Sequence, residues 1–344
     1  MTVLVTGSNG FLGSALVRRL CERGEQRVIR CLHRPGSDAR RLDAVRAAHP
    51  RARLEPCVGN LTSPADCARV LEGVELVFHG AAAMSGAAAD MFLNTVVASK
   101  NLLEALVRTG RPIRTVLVSS FSVYGAAGVA EGTTVTEDFP LEPHPERRDL
   151  YAQTKHRQER LFWEYRDRHG LPLTVLRPGV IYGPSGVPIS TRVGLRLFGV
   201  FLHLGRRNLV PLTYVDNCAD ALIDAAGHPA AVGEAYNVVD DGVPTAREYL
   251  ARYRREVQPL RVVSLPLFAT RLLSRSVAWY HRYSRGQLPA ILTPYKTDNM
   301  WRSFRYDNAK LKSIGWRPAT AIDEGLRRTF ASFREAGKAA GAAA

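Results

Sequence analysis

The sequence predicts an α/β fold, a Rossmann-type doubly wound parallel sheet with a smaller, mostly helical C-terminal substrate lobe. Three observations predict it. Short apolar runs alternate with helical patterns through the first half of the chain, the signature of strand–helix–strand units around a parallel sheet. A glycine-rich turn joins the first run to the first helix. The 344 residues exceed the roughly 250–300 at which one core stops growing, which calls for a large and a small lobe. Hydrophobic residues at 46% and charged residues at 23% exclude a mainly disordered or collagen-like chain.

The elements follow in order. TVLVT (2–6) is long and apolar enough for one buried parallel strand. Leu12, Ala15, Leu16 and Leu20 then recur at helical spacing, and Gly24 stops that helix. VIRCL (28–32), RLEPCV (53–58), ELVF (75–78), TVLVS (115–119) and LTVL (173–176) continue the strands, with helices near 64–72, 90–109 and 151–169. Past residue 180 the alternation weakens, and helical patterns reappear at 216–227, 246–257, 266–284 and 321–336. The predicted division is a Rossmann domain over 1–180, with segments near 210–240 returning to it, and a substrate lobe over 181–335. The tail 336–344 has no large apolar side chain to bury and is expected to be frayed.

Net charge is +15, from 47 Lys and Arg against 32 Asp and Glu. The basic residues are spread along the chain, and no zinc finger, helix-turn-helix signature or basic tail is present, so no nucleic-acid partner is expected. No run approaches a membrane span. The N-terminal residues lack the pattern of a secretory signal, so a cytoplasmic protein is expected. Cys21, Cys31, Cys57, Cys67 and Cys218 form an odd set without a CxxC pair or metal-like spacing, which argues against a disulfide scaffold and a bound metal.

Gly7, Asn9, Gly10, Phe11, Leu12 and Gly13 form the turn between the first strand and the first helix. Gly7 allows the tight turn, Gly10 the close approach of a pyrophosphate, and Gly13 the packing of helix on strand. The helix N-terminus offers N–H groups and partial positive charge to the phosphates. The second strand ends at Leu32-His33-Arg34, where a site for NAD(H) usually carries an acid for the ribose 2′-hydroxyl. Arg34 stands there instead, and a guanidinium grips a 2′-phosphate, so NADP(H) is favoured over NAD(H).

Tyr151 and Lys155 lie one helical turn apart. An ammonium beside a phenol favours phenolate, which is expected to lower the Tyr151 pKa and make it a general acid or base. Ser119 and Ser120 follow a strand at the end of the sheet where doubly wound folds bind ligands, within reach of a substrate carbonyl.

Together TGSNGFLG (6–13), GNL (59–61), HGAA (79–82), SSFSVYG (119–125), YAQTK (151–155), LRPGVIYGP (176–184), YVDNCADAL (214–222) and GWRPATAIDEGL (315–326) resemble the extended short-chain dehydrogenase/reductase family, the NAD-dependent epimerase/dehydratase group. The resemblance covers almost the whole chain. It implies Ser120, Tyr151 and Lys155 as the catalytic triad. It also implies Asn60 and Leu61 near the adenine, Gly80, Ala81 and Ala82 along the cofactor, and Pro178, Val180 and Ile181 near the nicotinamide. Asn60 replaces the Asp usual in that family.

Three departures narrow the resemblance. Dehydratases of the family carry Asp-Glu after the catalytic hydroxyl, where this chain has Phe121 and Ser122. Sugar epimerases carry Asn where Val180 stands and often Arg where Val210 stands, although Arg206, Arg207 or Arg302 could replace those anion contacts. The pattern is closest to the dihydroflavonol-reductase-like and 3β-hydroxysteroid-dehydrogenase-like ketoreductases, which implies a small hydrophobic ketone or alcohol as substrate. A nucleotide-sugar 4-epimerase with tightly bound NAD is the alternative. Residues 194–205 and 264–283 offer large apolar side chains either to a pocket or to the packing of the small lobe. The stretch 261–302 holds seven basic residues against one acid, interleaved with aromatics. That composition fits either peripheral contact with a membrane surface or a solvated basic face. The resemblance further implies a homodimer paired through the helices near 90–109 and 151–169.

Overall fold

The computed structural model describes residues 1–342 apart from 25–26, 198, 206 and 284–292. Part of the basic, aromatic stretch, Arg206 and the last two residues of the tail therefore lie outside the described residues. Seven parallel strands form the main sheet: β1 (Thr2–Thr6), β2 (Val28–His33), β3 (Arg53–Val58), β4 (Val74–His79), β5 (Arg114–Val118), β6 (Leu173–Pro178) and β7 (Ala235–Val238). Their spatial order is β7-β6-β5-β4-β1-β2-β3. The chain builds one half outward from β1, then crosses to β4 and builds the other half. The order thus reverses between β1 and β4, where Thr6 lies in register with His79. Connections leaving these two strands diverge and open a crevice at their C-terminal ends.

Alternation along the strands explains how both faces are covered. Val3 and Val5 point to one side, against α1 (Phe11–Glu22), α2 (Arg40–Ala48) and a later helix, Val215–Gly227. Leu4 points to the other, against α3 (Pro64–Val70), α4 (Ala98–Arg108) and α5 (Leu150–His169). A strand buried on both faces needs apolar residues at every position, and β1 reads so. The helix Val215–Gly227 is α6; its run of Ala219, Ala221, Ala225 and Ala226 lets it lie close against α1.

Strand β7 was not legible as a strand, because Ala-Tyr-Asn-Val is short and includes a polar residue. It is fixed by pairing, Ala235 to Val238 against Val175 to Pro178 of β6. The helix α2 also went unread, since its outer face is mostly arginine and alanine and only Leu42 and Val45 are buried.

The smaller lobe holds α7 (Ala246–Glu256), α8 (Leu267–Tyr283), α9 (Pro294–Trp301) and α10 (Ile322–Ala342). Thr245 and Glu248 close a capping box at the start of α7. The apolar segment 194–205 forms a hairpin, Gly194–Leu197 against Val200–His203, with Val262–Ser264 pairing alongside. Val193 and Phe201 pack with Tyr249, Tyr253 and Phe330, so this part of the segment fills the lobe. On α8 the expectation of pocket-lining or core side chains fails: Phe268, Leu272, Trp279, Tyr280 and Tyr283 face solvent. The C-terminal helix α10 runs to Ala342, through most of the segment expected to be frayed. An alanine-rich sequence carries the highest intrinsic helix propensity and extends a helix without tertiary contacts.

Candidate active site

The crevice floor starts at the glycine turn. Gly10 N–H donates to Gly7 O at 3.0 Å, and Gly7 itself adopts a left-handed φ of +71°. A Cβ on Gly13 would lie 2.0 Å from Gly7 O, so α1 can approach β1 this closely only with glycine there. No side chain caps the N-terminus of α1, which leaves its first amides pointing into the crevice. These features suit a pyrophosphate: a cradle of backbone N–H groups, walls without Cβ atoms and the positive end of a helix. Ser8 Oγ donates to Leu32 O at 2.9 Å and Asn9 Nδ2 to Asp38 O at 3.0 Å, which tie the turn to the end of β2. The Phe11 ring lies under Gly183 and Gly186, and the Arg41 guanidinium sits 5.7 Å from its centroid.

At the end of β2, Arg34 is exposed and Nη1 donates to Asn94 Oδ1 at 3.3 Å, which holds it beside the crevice. Arg40 is taken up by Asp38 at 2.6 Å and Arg41 donates to Ser185 O at 3.1 Å. Asn60, in the β3–α3 loop, accepts from Thr62 N through Oδ1 at 3.1 Å. Leu61 is buried in the core beside it, and its carbonyl accepts from Asn101 at 3.0 Å. Gly80 and Ala81 lie against Gly7, with Ala81 N donating to Thr6 Oγ1 at 3.2 Å, and Ala82 continues the same wall. Pro178 ends β6, and Val180 and Ile181 run beside Leu212 and Thr213 across the mouth of the sheet.

Ser120 follows β5 and caps the 3₁₀ turn Phe121–Val123, accepting from Ser122 N at 3.1 Å. Asp149 accepts from Ala152 N at 3.0 Å and so starts α5, which puts Tyr151 in its first turn. The Ser120 hydroxyl lies close enough to the Tyr151 phenol to influence its ionisation. Lys155 is buried, and its Nζ donates to Val118 O at 2.6 Å and to Gln158 Oε1 at 2.5 Å. Lys155 Nζ is thus held at the C-terminal end of β5, Ser120 follows that strand, and Tyr151 stands one helical turn before Lys155 on α5. In the same turn the Ser122 hydroxyl is buried with no hydrogen-bond partner among the described residues.

The electrostatics differ from the expectation. Burial pushes the Tyr151 phenol above its ordinary value, and the neighbouring Ser120 hydroxyl pulls it partly back. Lys155 is not what lowers it. Burial drives the Lys155 ammonium itself down to about 7 by desolvating its charge, and the nearby Glu159 carboxylate pulls it partly back.

Two buried networks around these residues were missed by sequence reasoning. Gln158 Nε2 donates to Ser99 Oγ at 2.7 Å, Ser99 bonds His79 Nε2 at 2.9 Å, and His79 Nδ1 bonds Thr6 Oγ1 at 2.9 Å. This chain links Lys155 on α5 to the last residue of β1. Burial holds His79 neutral, with its pKa pushed down to about 3. The second network pairs Glu159 with Arg177 at 2.5 Å, while Ser119 donates to Glu159 Oε2 and Arg177 Nη1 donates to Tyr124 Oη at 2.9 Å. The available signal was spacing: Gln158 and Glu159 fall three and four residues after Lys155, the offsets that share its helix face.

A family model described as NAD dependent epimerase/dehydratase family matches residues 3–239. A 3-beta-hydroxysteroid dehydrogenase of Mycolicibacterium neoaurum is 26% identical, over 94% of this chain and 89% of that protein. A 2-alkyl-3-oxoalkanoate reductase of Stenotrophomonas maltophilia is 29% identical, over 96% of this chain and 99% of that protein. The crystal structure of a UDP-glucuronic acid 4-epimerase from Bacillus cereus in complex with NAD superimposes with a TM-score of 0.72 at 18% identity, covering 98% of this chain and 99% of the other. Glycine turn, reversed strand order and matched sequence thus agree that this chain is an enzyme of the NAD-dependent epimerase/dehydratase family, an extended short-chain dehydrogenase/reductase.

Proposed function

We propose that the protein is an NADP(H)-dependent ketoreductase, equally an alcohol dehydrogenase in reverse, acting on a carbonyl of a small hydrophobic metabolite. The observation that carries the reading is the placement of the Lys155 ammonium and Ser120 at the C-terminal end of β5, with Tyr151 one helical turn before Lys155 on α5. A reduced nicotinamide bound in the crevice supplies the hydride. Tyr151 gives its phenolic proton to the carbonyl oxygen, and its burial keeps that proton in place until a strong acceptor develops. Ser120 holds the same oxygen and orients it. Lys155, held by Val118 and Gln158 one helical turn from Tyr151, would turn its ammonium to the cofactor ribose and to the phenolate left behind when nucleotide is bound.

Two relatives support the substrate class, one a hydroxysteroid dehydrogenase and the other an oxoalkanoate reductase by name. Val180 and Val210 support it too, since neither side chain offers an anion contact to a sugar nucleotide diphosphate. The competing reading is a nucleotide-sugar 4-epimerase, and the epimerase fold match keeps it in view. Absorbance of the reduced nicotinamide separates the two. Consumption of one NADPH per ketone reduced supports the proposal; conversion of UDP-sugars without added cofactor, by NAD retained through purification, overturns it.

Arg34 supports NADP(H) by its position at the end of β2, exposed and held by Asn94. Arg34→Asp is expected to reverse the preference, weakening NADPH at least tenfold relative to NADH through loss of a bidentate charge-assisted contact and gain of repulsion, on the order of 1.5–3 kcal/mol. Unchanged relative KM values for the two nucleotides would remove Arg34 from the account.

A further inference from the structure

A soluble amphipathic helix normally buries its apolar stripe and exposes its polar one. Helix α8 does the reverse. Its buried positions include Thr270 and Ser274, whose hydroxyls turn back to their own helix, donating to Pro266 O at 3.2 Å and Arg271 O at 2.8 Å. Its outward positions carry Phe268, Leu272, Trp279 and Tyr283, spaced four, seven and four residues apart, so they form one stripe. Phe268 and Tyr283 are each 74% exposed and Trp279 is 60% exposed. Trp279 and Tyr283 stack at 5.5 Å between centroids, a preformed aromatic plate on the surface.

Among the described residues, the charge on α8 that no acid neutralises is basic. Arg275 lies within the stripe, between Leu272 and Trp279, and is exposed without an acidic partner among the described residues. Asp298 on the neighbouring α9, the sole acid of residues 261–302, is held by Arg271 at 2.8 Å. Arg261 stands exposed before the short strand Val262–Ser264, whose Val263 is also exposed. No described helix is long and apolar enough to cross a membrane. An exposed aromatic stripe with guanidinium groups in it is the composition of a helix that lies in the plane of a lipid interface, rings at the headgroup level and arginines on lipid phosphates.

We propose that α8 docks the enzyme peripherally on an anionic phospholipid surface, with Phe268, Leu272, Trp279 and Tyr283 entering the interface and Arg275 pairing with headgroup phosphate. The inference rests on this surface alone and is independent of the reaction proposed above. Co-sedimentation of the full-length protein with mixed phosphatidylcholine–phosphatidylglycerol vesicles tests it, against pure phosphatidylcholine vesicles. Binding to the anionic vesicles is expected, weakened by salt, and weakened about fivefold or more by Arg275→Glu. Leu272→Glu with Trp279→Glu is expected to weaken it at least about tenfold. Both changes fall on exposed side chains, and an unchanged melting temperature checks that the fold is kept. Trp279 is the most exposed tryptophan, so a blue shift of emission on adding anionic vesicles, absent in Trp279→Phe, reports its entry directly. No association with anionic vesicles, or association that both sets of variants leave intact, overturns the proposal. So does a self-association in sedimentation velocity that the Leu272→Glu, Trp279→Glu variant abolishes in place of vesicle binding, since the stripe would then cover a second copy of the chain.

Discussion

Tyr151→Phe is expected to lower turnover of a ketone by about 10²–10⁴-fold while leaving nucleotide affinity within a few-fold of wild type. The substitution deletes one hydroxyl from a side chain that Asp149 and the start of α5 hold in place independently of it. The ring still fills its site, so the loss reads the proton rather than the packing. A phenol pushed above its ordinary value by burial binds its proton firmly in the free enzyme, and releases it only to an oxygen gaining negative charge. Single-turnover measurements at saturating NADPH check it. Turnover near wild type would mean that another group donates the proton. Ser120→Ala offers a graded comparison: it removes the hydroxyl beside the Tyr151 phenol and should cost less than the loss of the phenol itself.

The largest expected effect on stability is at Glu159. Replacing it with alanine leaves Arg177 buried without its counter-ion, a change that costs about 3–5 kcal/mol. The loss reaches further than the pair, because Glu159 also accepts from Ser119 and Trp163. Those bonds anchor the residue before Ser120 to the face of α5 that carries Tyr151 and Lys155. Denaturant unfolding of Glu159→Ala checks the magnitude, and Glu159→Ala with Arg177→Met is expected to recover part of it by removing the stranded charge. The pH dependence has a definite sign. Arg177 beside Glu159 holds its carboxyl below the ordinary glutamate value, so its contribution is complete above that value and is lost as pH falls through the lower, folded-state pKa. The stability gap between wild type and Glu159→Ala should therefore narrow on acidification. A gap under about 1 kcal/mol at neutral pH would show that the pair does not hold this end of the sheet together.

Most of the sheet was legible because its strands are buried on both faces and so read as continuous apolar runs, as in Val3-Leu4-Val5. β7 was not, because a strand at the edge of the order is stabilised by pairing with β6 rather than by its own pattern. The glycine turn was legible residue by residue, since each glycine answers a local steric demand, most severely at Gly13. The setting of Lys155 was not. Spacing put its ammonium on the same helix face as Tyr151, but which partner it takes depends on how α5 docks against β5 and on Gln158, a tertiary matter. The reversal of α8 was likewise hidden, because periodicity shows that a helix has an apolar stripe and not which way the stripe faces.

The central claim is hydride transfer to a carbonyl within the crevice beside Tyr151. NADPH deuterated on the transferring face of its nicotinamide, incubated with the protein and a hydrophobic ketone, tests it by mass spectrometry of the alcohol. One deuterium bound to the carbinol carbon per turnover is expected, with formation of the labelled alcohol suppressed in Tyr151→Phe. Alcohol formed without deuterium at that carbon, or labelled alcohol made equally well by Tyr151→Phe, would contradict it.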